Sequence, residues 1–282
     1  MPLAHTEERF EEAIEAHLLA HGYVQGTKRD YDVDLAMDKA QLLAFVKDSQ
    51  PKAWARLSRQ HGADVEERFL ARLQHELDQR GTLHVVRHGI TDYGVPFKLV
   101  FFKPAHGLAP ETQALYEKNR LSLTRQLRYG RKHSNEIDLV LFVNGLPVAT
   151  AELKNPLTNQ SVRNAIRQYR EDRDPRDLLL SFKRRALVHF AVDPDVVYMT
   201  TRLQGAATEF LPFNRGRGDG KVKGAGNPDN PGGYRTAYLW EEVWDRDSWL
   251  DILERFIHIQ RADPASPNSA ESIIFPRFHQ LE

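Results

Sequence analysis

Apolar residues recur along the chain with two different periods, and the switches between them mark the expected elements. A helical spacing runs through Phe10, Ile14, Leu18 and Leu19, predicting an amphipathic helix with Thr6 as its N-cap and Gly22 as its stop. The same spacing returns over residues 38–48 and 51–60, broken at Ser49-Gln50-Pro51, with Trp54 and Leu57 turned inward. Residues 63–79 place Val65, Phe69, Leu70 and Leu73 on one face before Gly81. Together these segments predict a helical insertion ahead of a sheet.

After Gly81 the period shortens to two, and residues 83–86, 97–102 and 121–128 read as half-buried strands. Two β-branched runs, 137–143 and 146–151, then flank Asn144-Gly145, the strongest short-range hairpin signal. Helical spacing resumes over 161–172, with Val162, Ala165, Ile166 and Tyr169 on its buried face, and residues 187–191 and 196–200 add strands around Asp193-Pro194-Asp195. Residues 213–235, rich in Gly, Asn, Pro and charge, predict a surface loop. Its G-R-G-D-G-K-V is one residue short of a phosphate loop and puts Val222 where Ser or Thr must bind magnesium, which excludes nucleotide binding there. Trp240 and Trp244 read as packing aromatics before a last helix over 247–259.

The hairpin carries charges that its apolarity does not explain: Asp138 in one arm, Glu152 and Lys154 in the other. A two-residue loop pairs Val143 with Leu146 and sends the two acids to opposite faces; a three-residue loop pairs Val143 with Pro147 and sets Asp138 opposite Glu152. Pro147 has no N–H for the ladder, so a widened or bulged turn is expected beside it. In the converging register the carboxylates repel unless a cation lies between them, and Lys154 shares their face.

Composition narrows the chemistry. The 282 residues are 41% hydrophobic, enough for a substantial core, and contain no cysteine, which excludes disulfides and thiolate metal sites and leads us to expect a cytoplasmic protein. No stretch is long and apolar enough for a membrane span. The 39 basic and 39 acidic residues cancel, yet the basic ones cluster. Lys118, Arg120, Arg125, Arg128, Arg131 and Lys132 precede the hairpin, and Arg163, Arg167, Arg170, Arg173 and Arg176 follow it. Basic arms on both sides of paired acids suit a polyanion. His84 and His88 form no ligand motif, and no G-x-S-x-G supports acyl transfer. The remaining constellation suits phosphodiester hydrolysis, with Mg2+ held by Asp138, Glu152 and the Leu153 carbonyl, Lys154 beside the reacting phosphate, and the following helix on neighbouring phosphates.

The order Asp, E-x-K on the next strand, then a helix resembles the PD-(D/E)xK nuclease superfamily, an α/β (α+β) fold with an αβββαβ core, a central mixed sheet and flanking helices. The wider run F-K-L-V-F-F-K-P, N-R-L-S-L-T-R-Q-L-R-Y, I-D-L-V-L-F-V-N-G-L-P, E-L-K-N-P, A-I-R-Q-Y-R-E-D-R-D-P, T-E-F-L-P-F-N-R-G and Y-L-W-E-E-V-W is similar to the N-terminal nuclease region of the restriction (R) subunit of type I restriction-modification enzymes. That resemblance implies Asp138 and Glu152 as Mg2+ ligands and Lys154 as catalytic lysine; related nucleases also bring a first-helix glutamate to the metal, here Glu11 before Glu12, although the expectation for it is a solvated helix acid. It implies double-stranded DNA as substrate, methyltransferase (M) and specificity (S) subunits as partners, and ATP use by a helicase motor of the parent protein only. Such subunits often carry Q-x-x-x-Y on the next helix; here Tyr169 matches, Ala165 stands at the glutamine position, and Gln168 is the nearby glutamine. Arg128, Arg163, Arg167 and Arg170 are the expected DNA contacts. The implied layout is a single endonuclease domain over 1–260 (insertion about 36–80, catalytic core about 81–202, loop 213–235) and a motor linker from 261 to 282. Two rival readings stand beside it: a stand-alone repair or junction nuclease, and a non-catalytic module docking the motor to the methyltransferase.

Overall fold

The computed structural model describes residues 7–104, 110–155, 160–216, 226–262 and 270–281. The expected cap at Thr6, the Gly-rich stretch 217–225 and part of the expected linker lie outside them. Helix α1 (Glu7–Ala20) buries Phe10, Ile14 and Leu18, the spacing of four that one helix face requires. Strand β1 (Tyr23–Gln25) follows, then the small ribbon of β2 (Tyr31–Asp32) and β3 (Met37–Asp38). Asp38 caps α2 (Lys39–Ser49) by accepting the Gln41 N–H, and Pro51 opens α3 (Pro51–His61) in the first turn, where its missing N–H costs nothing. Helix α4 (Val65–Arg80) ends at Gly81.

Two expected strands take other forms. Residues 83–86 lie in a short helix, α5 (Thr82–His88), bracketed by Gly81 and Gly89 at φ of 84° and 74°. Leu83, Val85 and Val86 are all buried there, so their tertiary packing overrides the β-branched pattern. Only the start of the run 97–102 is extended: β4 (Ile90–Asp92) pairs with β5 (Val95–Phe97). Beyond it the backbone is satisfied by side-chain amides instead of a neighbouring strand. Gln50 exchanges two hydrogen bonds with Lys98, Asn119 exchanges two with Phe101, and Asn144 donates to the Leu99 carbonyl.

After α6 (Pro110–Glu117) come β6 (Leu121–Arg128), β7 (Glu136–Val143) and β8 (Leu146–Leu153), then α7 (Val162–Glu171), β9 (Val188–Val192), β10 (Val197–Thr200) and β11 (Leu211–Pro212). These build one mixed sheet in the order β1-β6-β7-β8-β9-β10-β11. The pairs β1/β6 and β8/β9 are parallel and the rest antiparallel, with α7 as the crossover that parallel neighbours need. Leu139, Leu141 and Val143 face a large core shared with α1 to α5, while Val140 and Phe142 face a smaller one containing Tyr169 of α7. This is the mixed α+β arrangement, sheet flanked by helices, expected of a PD-(D/E)xK-like nuclease.

Trp240, Trp244 and Trp249 are buried, as packing aromatics should be. The last helix is shorter than its pattern suggests. It comprises α8 (Arg246–Asp251) and a π-helical turn (Ile252–Phe256), and the chain then extends into β12 (His258–Gln260), paired with β13 (Ser272–Ile274). Phe275 and Phe278 return to the core, Phe275 packing edge-on against Phe190. No described helix is long and apolar enough to cross a membrane.

Candidate active site

The site is set by the register of β7 and β8. Asn144 and Gly145, at φ of 51° and 81°, form a two-residue turn, and Val143 pairs with Leu146. By the turn alone the two acids would part. One step on, the ladder shifts: Phe142 pairs with Pro147 but Leu141 with Ala149, leaving Val148 as the extra residue of a bulge. From there Val140 faces Thr150 and Leu139 faces Ala151, so the continuing register sets Asp138 opposite Glu152. The slip the acids require is therefore present, placed after Pro147 and outside the turn.

Asp138, Glu152 and Lys154 meet as the spacing proposed, and all three are buried. The Asp138 carboxylate accepts the Leu153 N–H at 2.8 Å and lies 3.6 Å from the Lys154 ammonium. Lys154 also donates to the Leu153 carbonyl at 2.9 Å, which places that carbonyl within the cluster. Glu152 is fully enclosed; burial and the charge of Asp138 push its carboxyl well above the usual carboxylate range, against the opposing pull of Arg173.

Three further residues complete the cluster without a sequence signal of their own. Arg173, just past α7, donates from Nε to Glu152 at 2.7 Å and from a terminal nitrogen to the Glu136 carbonyl at 2.7 Å. Its guanidinium also lies over Tyr129, 5.9 Å from the ring centroid. Gln126 of β6 donates from its side-chain amide to Glu11 at 2.7 Å and to Asp138 at 3.3 Å. Arg125 binds Glu11 and Glu15 at 3.0 and 2.8 Å. Glu11, on the buried side of α1, thus does come to the acids; burial first, then the Asp138 charge, raises its carboxyl to about 7. Arg173 was visible only as one member of a basic run, and Gln126 as one polar residue in a strand.

The remaining expected residues fall in two places. Tyr169 is fully buried under the sheet, its hydroxyl 2.8 Å from that of Thr150, which is in turn 2.8 Å from Nδ1 of His189. Burial holds His189 near 3, so the imidazole is neutral. Gln168 is half-buried and makes no side-chain hydrogen bond among the described residues; the glutamine that touches the acids is Gln126. Arg163, Arg167 and Arg170 line an exposed groove of about 490 Å³ floored by Ile166, Tyr198 and Phe210, with Arg170 fixed by two bonds to the Thr208 carbonyl. Arg128 is exposed and donates to the His133 carbonyl.

The donor set fits a hard divalent cation. Among the described residues no group of three or more His, Cys, Asp or Glu side chains is arranged to hold a metal ion, but magnesium commonly takes one or two carboxylates and keeps its waters. Asp138 and Glu152 supply such a pair, and the second oxygen of Glu152 is buried with no hydrogen-bond partner among the described residues. A buried, orphaned oxygen on a carboxylate set opposite a second acid is what a cation would satisfy.

Comparison with known proteins adds one finding. A family model described as the type I restriction enzyme R protein N terminus matches residues 5–208, which contain the whole acid cluster and the arginines of α7. No curated protein matches the chain.

Proposed function

Because the chain belongs to the type I restriction enzyme R protein N-terminal family, and so to a restriction system, we propose that it is the DNA-cleaving domain of such a subunit, a Mg2+-dependent endonuclease. The observation that carries this reading is the meeting of Asp138, Glu152 and Lys154 through the Val148 bulge. Three ionisable side chains buried on one sheet face cost stability, and chemistry is the economical reason to keep them.

Asp138, Glu152 and the Leu153 carbonyl are the groups that would hold the cation. Bound there, Mg2+ would polarise a phosphoryl oxygen and acidify a bound water. The protein's own contribution is positional. The Leu153 N–H and Lys154 fix Asp138, and Arg173 fixes Glu152. The Lys154 ammonium, anchored on the Leu153 carbonyl, stands where it can orient a water or balance charge developing on phosphorus. Arg163, Arg167 and Arg170 gather positive charge in one groove on α7, which suits them to holding the DNA backbone through its phosphates. Sequence recognition, methylation and ATP-driven movement would come from the partner subunits and the motor of the parent protein.

In the assembled restriction complex, Asp138→Ala or Lys154→Ala should lower double-strand cleavage by about 10²-fold or more and leave ATP hydrolysis unchanged. Cleavage at the wild-type rate would instead make this region a docking module. Arg163→Glu with Arg167→Glu should weaken binding of the chain to duplex DNA for every sequence and reduce the slope of log affinity against log salt by roughly 2.

A further inference from the structure

The strand β6 contains a backbone irregularity directly against the acids. Arg125 pairs with Leu139 and Leu127 with Ile137, but Gln126, between them, is left out of the ladder where Asp138 would be its partner. Gln126 has φ of 49°, a left-handed conformation that a residue with a Cβ adopts at a cost, and one seldom found inside a strand. Nothing in the turn chemistry demands it, for the chain runs on in the same register on both sides. Strain of this kind persists where the surroundings over-determine it and is concentrated at functional sites.

What the strained residue does is visible in its side chain. The amide nitrogen donates to Glu11 at 2.7 Å and to Asp138 at 3.3 Å. Both acceptors are carboxylates, so the nitrogen, with its two N–H groups, must be the atom that faces them. Glu11 comes from α1 and Asp138 from β7, elements far apart in sequence, and the Gln126 amide ties one to the other. Arg125, the preceding residue, holds Glu11 from a second direction through its Nε. A neutral donor between two acids offsets their repulsion without adding a charge that would compete with a cation.

We propose that Gln126 is a positioning residue of the metal site: its left-handed backbone aims a carboxamide between Glu11 and Asp138, holding Asp138 in the orientation that receives a divalent cation. The inference rests on the metal-site reading above. Its consequence is that cation affinity depends on a side chain that is not itself a ligand, as partners behind metal ligands generally do.

The test is direct binding of Mn2+ to the 282-residue chain, by calorimetry or by the loss of the free-ion electron paramagnetic resonance signal. Gln126→Gly removes the amide and suits the left-handed backbone, its relief of strain offsetting its greater unfolded-state freedom, so the melting temperature should stay close to wild type. Mn2+ affinity should fall by about 10- to 100-fold. Gln126→Asn, which also tolerates this conformation but is one methylene too short to span both acids, should fall in the same direction by less. Asp138→Asn is the control for the site itself. If Asp138→Asn abolishes binding while both Gln126 variants bind as wild type does, the role of Gln126 is overturned and the metal site stands. If Asp138→Asn binds Mn2+ as tightly as wild type, the metal reading fails and the inference with it.

Discussion

Replacing Arg173 with methionine keeps most of its volume and removes the guanidinium from Glu152. Both side chains are almost completely enclosed, so solvent cannot take the place of the lost partner. Breaking a buried ion pair by deleting one member costs about 3–5 kcal/mol, mostly the penalty of the charge left behind. Glu152 can escape part of that cost by holding a proton, and this makes the loss depend on pH. Its carboxyl in the folded protein already lies well above the usual carboxylate range, pushed there by burial and by Asp138, and removal of Arg173 pushes it further. A carboxyl raised on folding binds more protons folded than unfolded, so stability falls as pH rises above the unfolded value. Near pH 4.5 the variant should lose only its hydrogen bonds, about 1–3 kcal/mol. At pH 8 the loss should reach the full 3–5 kcal/mol. At roughly 2–4 °C per kcal/mol for a domain of this size, the melting temperature should drop by several degrees more at pH 8 than at pH 4.5. Thermal melts followed by circular dichroism across that range measure it, and Glu152→Gln in the Arg173→Met background should recover most of the loss at pH 8. An equal decrement at both pH values, or no recovery in the double variant, would refute the assignment of Arg173 as the counter-ion of Glu152.

Glu11→Gln should raise stability at pH 8 by up to about 3 kcal/mol, the worth of a carboxyl shifted from 4.5 to about 7, and the gain should vanish below pH 4.5, where Glu11 is protonated in both states; melting temperatures at a series of pH values would show it, and a pH-independent change would count against a Glu11 carboxyl raised by burial and by Asp138. Gly145→Ala would set a Cβ 2.2 Å from the Asp38 carbonyl oxygen at φ of 81°, so we expect a loss of at least about 2 kcal/mol in denaturant unfolding, and a variant as stable as wild type would show that the turn relaxes freely.

The five inner strands, β6 to β10, were legible from their apolar, β-branched runs and one asparagine-glycine turn, whereas the short edge strands β1 and β11 carry no such run and were not expected. The candidate site was legible only up to a condition, that Asp138 and Glu152 converge if the hairpin gains one residue. The sequence offered Pro147 as the place of weakness, and the bulge falls on its neighbour Val148. What pattern reading missed depends on contacts between distant segments. Residues 83–86 look like a strand, yet their helix is decided by the burial of Leu83, Val85 and Val86 between two glycines. The run 97–102 looks like a strand because its apolar residues are buried, while its hydrogen bonds go to Gln50, Asn119 and Asn144, which no local period reveals. Gln126 and Arg173 act through distance in space to residues with which they share no motif.

The Asn144-Gly145 turn, finally, is an uncommon hairpin tip in being enclosed. Asn144 is fully buried, bonded to the Arg120 N–H, the Leu99 carbonyl and the Asn119 side chain, and the Gly145 carbonyl accepts the Asp38 N–H. A hairpin of this kind cannot complete its tip as an early local event, since the groups that satisfy it arrive from the β3–α2 junction, from the segment after β5 and from the residues between α6 and β6. Closure of the tip is tied to late, long-range collapse, whose loop-closure entropy must be met first. Once closed, the tip has no independent route to fraying, so amide protons of β7 and β8 should exchange only through global opening. The two acids therefore stand on the most cooperative part of the fold, and their separation is insulated from the small local fluctuations that an exposed hairpin would transmit.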